Sequence, residues 1–269
     1  MSHSTRLLQP ADQLALARLC DDQPVRSLLV RGRLANQPGV RLAGVFDDSQ
    51  LLAVSTTDSV LYASSLDAAL ATELVAGLRD AELAIGSIAA DIATTGHLQE
   101  ALSVQWGMSP RLVRESQPFL SLSSAVTVSG AELATRVTVD QLGAYTAAGA
   151  KMYAEEVNTA APTRSLRRRF EQSIAQGRSF AWAEAGRVLF KCDIAFVVDE
   201  VCHLQGVWLD PRWRGQGLAQ GLLADVLRAV QAEVAPVVTL YVNDFNAPAR
   251  ALYSSLGFHE VDRFATVFY

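Results

Sequence analysis

Metal and disulfide chemistry have little to work with in this chain. Its three cysteines, Cys20, Cys192 and Cys202, stand far apart with no CxxC spacing, a usage that suits a reducing cytoplasm and offers no metal site. The four histidines, His3, His97, His203 and His259, form no ligand cluster either, so no metal is expected. No apolar run approaches the roughly 18 residues that a membrane helix needs. The opening MSHSTRLLQPADQ has no apolar segment of the secretory kind, and a cytoplasmic location is expected. Charge of one sign is also scarce: the net charge is −5 with no basic stripe, so nucleic acid is not an expected partner.

What is present is apolar material. Half of the 269 residues are hydrophobic, enough for one large core or two ordinary ones. The most informative stretch is QGVWLDPRWRGQGLAQGLLADVLRAVQAE, from Gln205 to Glu233. Gln205, Val207 and Leu209 alternate as in a short strand, which Pro211 ends because proline cannot donate to a ladder. Beyond Gly217, Leu218, Leu222, Leu223, Val226, Leu227 and Val230 recur at helical spacing. The turn between them holds Gly215 and Gly217. Such a turn leaves backbone N–H groups of the first helical turn without partners, at the positive end of the helix dipole. That is a phosphate site, and Arg212 and Arg214 add positive charge beside it. A tight strand-to-helix turn with no ligand is the alternative reading of the two glycines.

Arg212, Gly215 and Gly217 match RxxGxG, and NDFNAPARALYSSLGF downstream matches Asn-x-x-Ala-x-x-Leu-Tyr-x-x-x-Gly-Phe through Asn246, Ala249, Leu252, Tyr253, Gly257 and Phe258. In these two ordered motifs the C-terminal half resembles the GNAT N-acetyltransferase superfamily. The resemblance implies an α/β (α+β) fold with a mixed, mostly antiparallel twisted sheet flanked by helices. It also implies two parallel strands, here His203–Leu209 and Val237–Val242, that splay apart beside the glycine turn. Acetyl-CoA would be the acyl donor. The backbone of Val207, Trp208 and Leu209 would pair with its pantetheine arm, one N–H polarising the thioester carbonyl as in an oxyanion hole. Arg212, Arg214, Gly215, Gln216, Gly217, Leu218 and Ala219 would hold the pyrophosphate, with Asn246 and Ala249 flanking the arm.

Catalysis is expected to centre on Tyr253. In the family the tyrosine of the Leu-Tyr pair protonates the departing thiolate, which a neutral phenol within hydrogen-bond reach can do; the alternative is a packing residue against Leu252 and Phe258. An amine acceptor must also lose a proton. Glu155 and Glu156, at the end of the domain's first helix, and His203, on the splayed strand, are the candidates for base or acceptor contact. A solvated helix end, a structural histidine and a relay through water are the competing readings.

The first half carries no RxxGxG turn before residue 130. Its order of helix Asp12–Leu19, hairpin Val40–Phe46 and Leu51–Thr56, strand Val60–Ala63, helix Ala68–Leu78, strand Leu83–Ile88, helix Thr95–Gln105 and strand Phe119–Leu122 resembles a degenerate copy of the same fold. The expected division is therefore 1–125, a GNAT-like accessory domain without a cofactor turn, and 126–269, the catalytic domain, joined through the linker Ser121–Gly130. Within the second domain, Thr138 and Gln141 form a capping-box pattern, Thr163 is placed as the cap of the helix that Gly177 ends, and Ala265–Tyr269 is the last strand. Arg167, Arg168 and Arg169 spread over most of that helix's circumference, which reads as a solvated face.

The function expected is transfer of acetyl to a primary amine, on a small molecule or a protein N-terminus, by direct attack in a ternary complex. An acyl-CoA-binding sensor without turnover is the alternative. A monomer or homodimer is expected, with neither nucleic acid nor membrane as partner.

Overall fold

The computed structural model describes residues 3–37, 39–79, 84–157 and 162–269. They divide into two compact units: 1–120 with 241–245 and 260–269, and 121–240 with 246–259.

The first unit opens with β1 (His3–Leu7), α1 (Gln13–Asp22) and α2 (Leu28–Asn36). The hairpin of β2 (Leu42–Asp47) and β3 (Gln50–Thr56) follows, then β4 (Val60–Tyr62), α3 (Ala68–Leu78), β5 (Ser87–Asp91), α4 (Ile92–Trp106) and β6 (Leu112–Leu122). β1 and α2 carry no periodic signal strong enough to have been expected. The strand expected from Leu83 begins at Ser87; its first residue lies outside the described ones. Gly107, left-handed at φ +67°, ends α4 as glycine does past a helix.

In the second unit come β7 (Thr135–Arg136), α5 (Leu142–Val157), α6 (Thr163–Ala175), β8 (Ser179–Glu184), β9 (Arg187–Val198) and β10 (Val201–Leu209). They are followed by α7 (Leu218–Glu233), β11 (Val237–Tyr241) and α8 (Ala247–Ser255). The final strand, β12 (His259–Phe268), pairs antiparallel with β5 from Phe264↔Asp91 to Phe268↔Ser87. Residues 260–269 thus belong to the first unit, although the expected boundary assigned everything after 125 to the second.

Within the first unit β1, β2 and β3 form one antiparallel sheet, while β4, β5, β12 and β6 lie in that order in another. Val45, Ala53, Leu61, Leu74, Leu98 and Val267 meet in its main core. In the second unit the order is β11, β10, β9, β8, β7. β8 and β9 are joined through Ala185 and Gly186, both at positive φ, the backbone a twisted two-residue hairpin turn demands. β9 is one continuous strand from Arg187 to Val198.

Helix α6 buries Leu166, Phe170 and Ile174, one per turn, and leaves Arg167, Arg168 and Arg169 exposed. The capping box at Thr138 and Gln141 is present. Thr163, by contrast, is the first residue of α6, with Pro162 at the cap position and no side-chain cap bond. The linker is not a free tether. Val126 N–H donates to Gln231 Oε1 at 3.3 Å, and Asp225 accepts from the amides of Glu132, Leu133 and Ala134, binding the segment to α7.

Candidate active site

The site is built where a strand outruns its partner. β10 and β11 run parallel and pair at Val201↔Val237, Cys202↔Val238 and His203↔Thr239, after which the pairing ends while β10 continues to Leu209. On its other edge β10 stays on β9, with the register slipping between Gln205↔Asp193 and Trp208↔Lys191. Gly206 sits in that slip at φ +61°, a conformation glycine adopts without the steric cost other residues bear. Val207 to Leu209 therefore present backbone to a gap that a strand would otherwise fill.

At the end of β10 the chain makes a single 3-10 turn, Pro211–Trp213, before α7. Asp210 fastens it. Its carboxylate accepts from the Arg212 N–H at 3.1 Å and from Nε and Nη2 of the same residue at 2.9 Å each. The guanidinium holds the Asp210 carboxyl down at about 2. Trp213 packs edge-on against Trp182 at 5.2 Å, anchoring the turn to β8. The exposed residues 214–217 then lead into α7, whose N-cap Gly217 offers no side-chain acceptor. Gly215 and Gly217 lie at φ +74° and +76°, and a Cβ at either would meet nothing within 4 Å. The glycines are thus required for their conformation, and the space above them is open. An uncapped helix N-terminus with open, left-handed glycines fits a phosphate group.

The two arginines are less free than expected. Arg212 is spent on Asp210, and Arg214 donates to the Leu209 carbonyl at 2.9 Å and to Glu155 at 2.6 Å. Phosphate binding at this turn would accordingly rest on backbone amides more than on cationic side chains. Glu155 also accepts from the indole N–H of the buried Trp208 at 3.2 Å. It ties the end of α5 to β10 and to the turn, which occupies it as an anchor. Gln216 donates to the Arg212 carbonyl at 3.0 Å, and Leu218 and Ala219 open α7.

Asn246 caps α8, its side chain accepting from the Ala249 N–H at 3.2 Å. Gln220 in the first turn of α7 donates to Ser255 on α8 at 2.9 Å, holding the two helices together at this end. Two turns into α8, Tyr253 is 6% exposed, its ring edge-on to Phe258 at 5.8 Å. Burial first, then the nearby Cys192 and Glu156, push its phenol well above the ordinary range, so it carries its proton throughout the working range. Of the two adjacent glutamates, then, Glu156 is the one whose charge the phenol feels. His203 lies elsewhere in character. It is 3% exposed, bonded through Nδ1 to Thr239 Oγ1 at 3.0 Å and stacked on Phe196 at 4.9 Å. Burial lowers its pKa to about 3, and so weak a base does not take a proton from an ammonium group at neutral pH. His203 is a structural residue of the paired part of the sheet.

One group went unforeseen: Lys191, Asp193, Tyr145 and Ser179, hydrogen-bonded together directly against Gly206. Its signal in the sequence was a lysine and an aspartate two residues apart, hence on one face of a strand, inside the otherwise apolar run VLFKCDIAFVV. Among the described residues no group of three His, Cys, Asp or Glu could hold a metal ion, and no helix is long and apolar enough to cross a membrane.

Residues 150–258 match the acetyltransferase (GNAT) family model. That stretch is therefore similar to a GNAT acetyltransferase domain. The chemistry of that family is acyl transfer from an acyl-CoA. The match covers β10, the glycine turn, α7, β11 and α8, which are the elements that build the site. No curated protein matches the chain. Among solved structures, a GNAT-family acetyltransferase from Colwellia psychrerythraea is 14% identical with a TM-score of 0.64, covering 99% of each chain. A GCN5-related N-acetyltransferase from Sphaerobacter thermophilus is 17% identical with a TM-score of 0.64, covering 98% of this chain and 94% of that one. A tandem GNAT protein from the clavulanic acid biosynthesis pathway is 14% identical with a TM-score of 0.58, covering 98% of each. At these identities the likeness is one of fold, and it extends beyond residues 150–258 over nearly the whole chain.

Proposed function

We propose that the protein is an N-acetyltransferase that moves the acetyl group of acetyl-CoA to a primary amine by direct attack within a ternary complex. The observation that carries this reading is the juncture of β10 running on past its last pair at His203↔Thr239 with an α7 N-terminus led by glycine and lacking a side-chain cap. Acetyl-CoA, when bound, supplies the activated acyl carbon. The amides from Gly215 to Ala219 hold its pyrophosphate, and Val207, Trp208 and Leu209 offer backbone to its arm. Asn246 and Ala249 flank the arm from the end of α8. Tyr253, kept protonated by burial, donates its proton to the departing sulfur, and Glu156 accepts the proton of the incoming amine. Glu155 acts by holding Trp208 and Arg214 in place. The acceptor is a small amine or a protein N-terminus, and the protein works as a monomer or homodimer in the cytoplasm.

The test is a panel of primary amines incubated with acetyl-CoA and read by thiol release. At least one amine is expected to be acetylated at a rate that saturates with both substrates. Binding of acetyl-CoA by calorimetry with no thiol release on any amine would instead assign the site to an acyl-CoA sensor.

A further inference from the structure

The buried polar group beneath β10 has no part in the chemistry above, yet it touches the strand that the chemistry needs. Lys191, one of two lysines in the chain, has no exposed side-chain surface. Its Nζ donates to Asp193 Oδ2 at 2.6 Å and to the Gly206 carbonyl at 3.2 Å, with the Tyr145 and Phe170 rings about it at 5.0 and 5.1 Å. The other oxygen of Asp193 accepts from Tyr145 Oη at 2.8 Å and from Ser179 Oγ at 2.7 Å. Every member of the group is therefore bonded. Stability alone does not account for it, because a buried ion pair exchanged for apolar residues of like volume is often no less stable.

What the pair does lies in the geometry of one peptide. Gly206 is the positive-φ residue in the register slip of β10, and a Cβ there would meet Lys191 Nζ at 2.9 Å. In a planar trans peptide the carbonyl of one residue and the N–H of the next point in opposite directions. An ammonium that captures the Gly206 carbonyl thus turns the Val207 N–H away from itself. Val207 is the first residue of the stretch whose backbone faces the gap left by β11. A fixed donor of this kind serves catalysis because it needs no reorientation as charge develops.

We propose that Lys191 and Asp193, steadied by Tyr145, are positioning residues: they lock the Gly206–Val207 peptide so that its N–H is aimed at the thioester carbonyl. The inference rests on the acetyl-CoA reading of the site and is tested by a measurement that separates the two. Acetyl-CoA labelled with carbon-13 at the thioester carbonyl is bound to the full chain, and the carbonyl stretch is recorded by infrared difference spectroscopy. In the wild type the band is expected below its position in free acetyl-CoA. In the Lys191→Met/Asp193→Val double variant, Tyr145 keeps its bond to the Cys192 carbonyl and Ser179 its bond to Ser173. There, affinity is expected within about threefold of wild type, since the phosphate site is untouched, while the band returns to the free position. A band that stays at the wild-type position in the folded variant overturns the proposal. Failure of the wild type to bind, or to displace the band, defeats the acetyl-CoA reading itself and this inference with it. Should the double variant not fold, Tyr145→Phe decides: part of the displacement is expected to be lost, and a band unmoved from wild type overturns the proposal.

Discussion

The two units each contain a parallel strand pair, a turn and a helix, and they treat the turn in opposite ways. In the first, β4 pairs with β5 at Val60↔Ser87, Leu61↔Ile88 and Tyr62↔Ala89, and β4 stops there. In the second, β10 and β11 likewise make three pairs, but β10 runs on to Leu209. The turn after β4 spends its donors internally. Ser64 N–H goes to the Val54 carbonyl at 2.9 Å, Ser65 N–H to Gln23 at 2.8 Å and Leu66 N–H to Thr94 at 3.1 Å. Asp67 then caps α3 by accepting from the Leu70 N–H at 2.9 Å. A carboxylate already sits where an anion would have to bind. The turn after β10 has glycines where the first has Ser, Asp and their partners. The contrast extends to the next helix: Asp91 caps α4 as Asn246 caps α8, and two turns on, where α8 has Tyr253, α4 has the fully buried Leu98. On the proposed reading, a like order of strand, turn and helix serves as packing in one unit and as a site in the other, according to what the amides at a helix N-terminus bond.

The sharpest way to break this contrast is to give α8 the apolar character of α4. Tyr253→Phe removes only the hydroxyl, and kcat is expected to fall roughly a hundredfold or more, as for loss of a general acid, with the KM for acetyl-CoA nearly unchanged. A variant with intact kcat and raised KM would make Tyr253 a packing residue after all.

Closing the open turn comes next. Gly217→Val forces a β-branched residue to φ +76°, a left-handed conformation costing about 1–2 kcal/mol, and places its side chain over the amides. Acetyl-CoA affinity by calorimetry is expected to fall tenfold or more, a tenfold loss being about 1.4 kcal/mol. Unchanged affinity would remove the phosphate site from the second unit.

The paired half of β10 can be probed by acid. His203 has its pKa lowered from 6.5 to about 3, so the unfolded chain binds more protons between those values. Its contribution is whole above about pH 6.5 and is lost as pH falls toward 3, at up to about 1.4 kcal/mol per pH unit. His203→Phe is expected to flatten that part of the stability–pH curve measured by urea melts. An unaltered slope would mean that His203 is not a buried neutral group.

The smallest effect is expected in the first unit. Asp67→Ala removes the cap of α3 and costs about 1 kcal/mol, read by the same melts, with acetyl-CoA binding unchanged. A gain of a second acetyl-CoA site would show that Asp67 alone had been keeping that turn shut.

Much of this was legible from one dimension, and the exceptions have physical causes. The strand, turn and helix around residue 215 are local in sequence, and proline, glycine and apolar spacing dictate them directly. Helix α3 came out at its expected limits because Asp67 caps it and its apolar residues repeat at helical spacing. Helix α2 did not, because LLVRGRLAN presents its apolar residues in a block and contains a glycine. The terminal strand was foreseen as a strand but not as part of the first unit, since the same alternation would pair on either sheet. Among the site residues, the glycine turn and Tyr253 stand on local motifs. The roles of Glu155, Glu156 and His203 depended on neighbours far along the chain: Trp208 and Arg214 for Glu155, Tyr253 for Glu156, and Thr239 for His203.

Sequence by itself determined which backbone conformations were cheap: a glycine turn that leaves α7 uncapped, an asparagine that caps α8, and a first unit whose corresponding turn ends in aspartate. Only the tertiary structure decided which charges are spent and which are left. Ion pairs such as Arg214 with Glu155 and Lys191 with Asp193 exist because packing brings their side chains within hydrogen-bond reach, and reach across a fold is a property of the assembled chain.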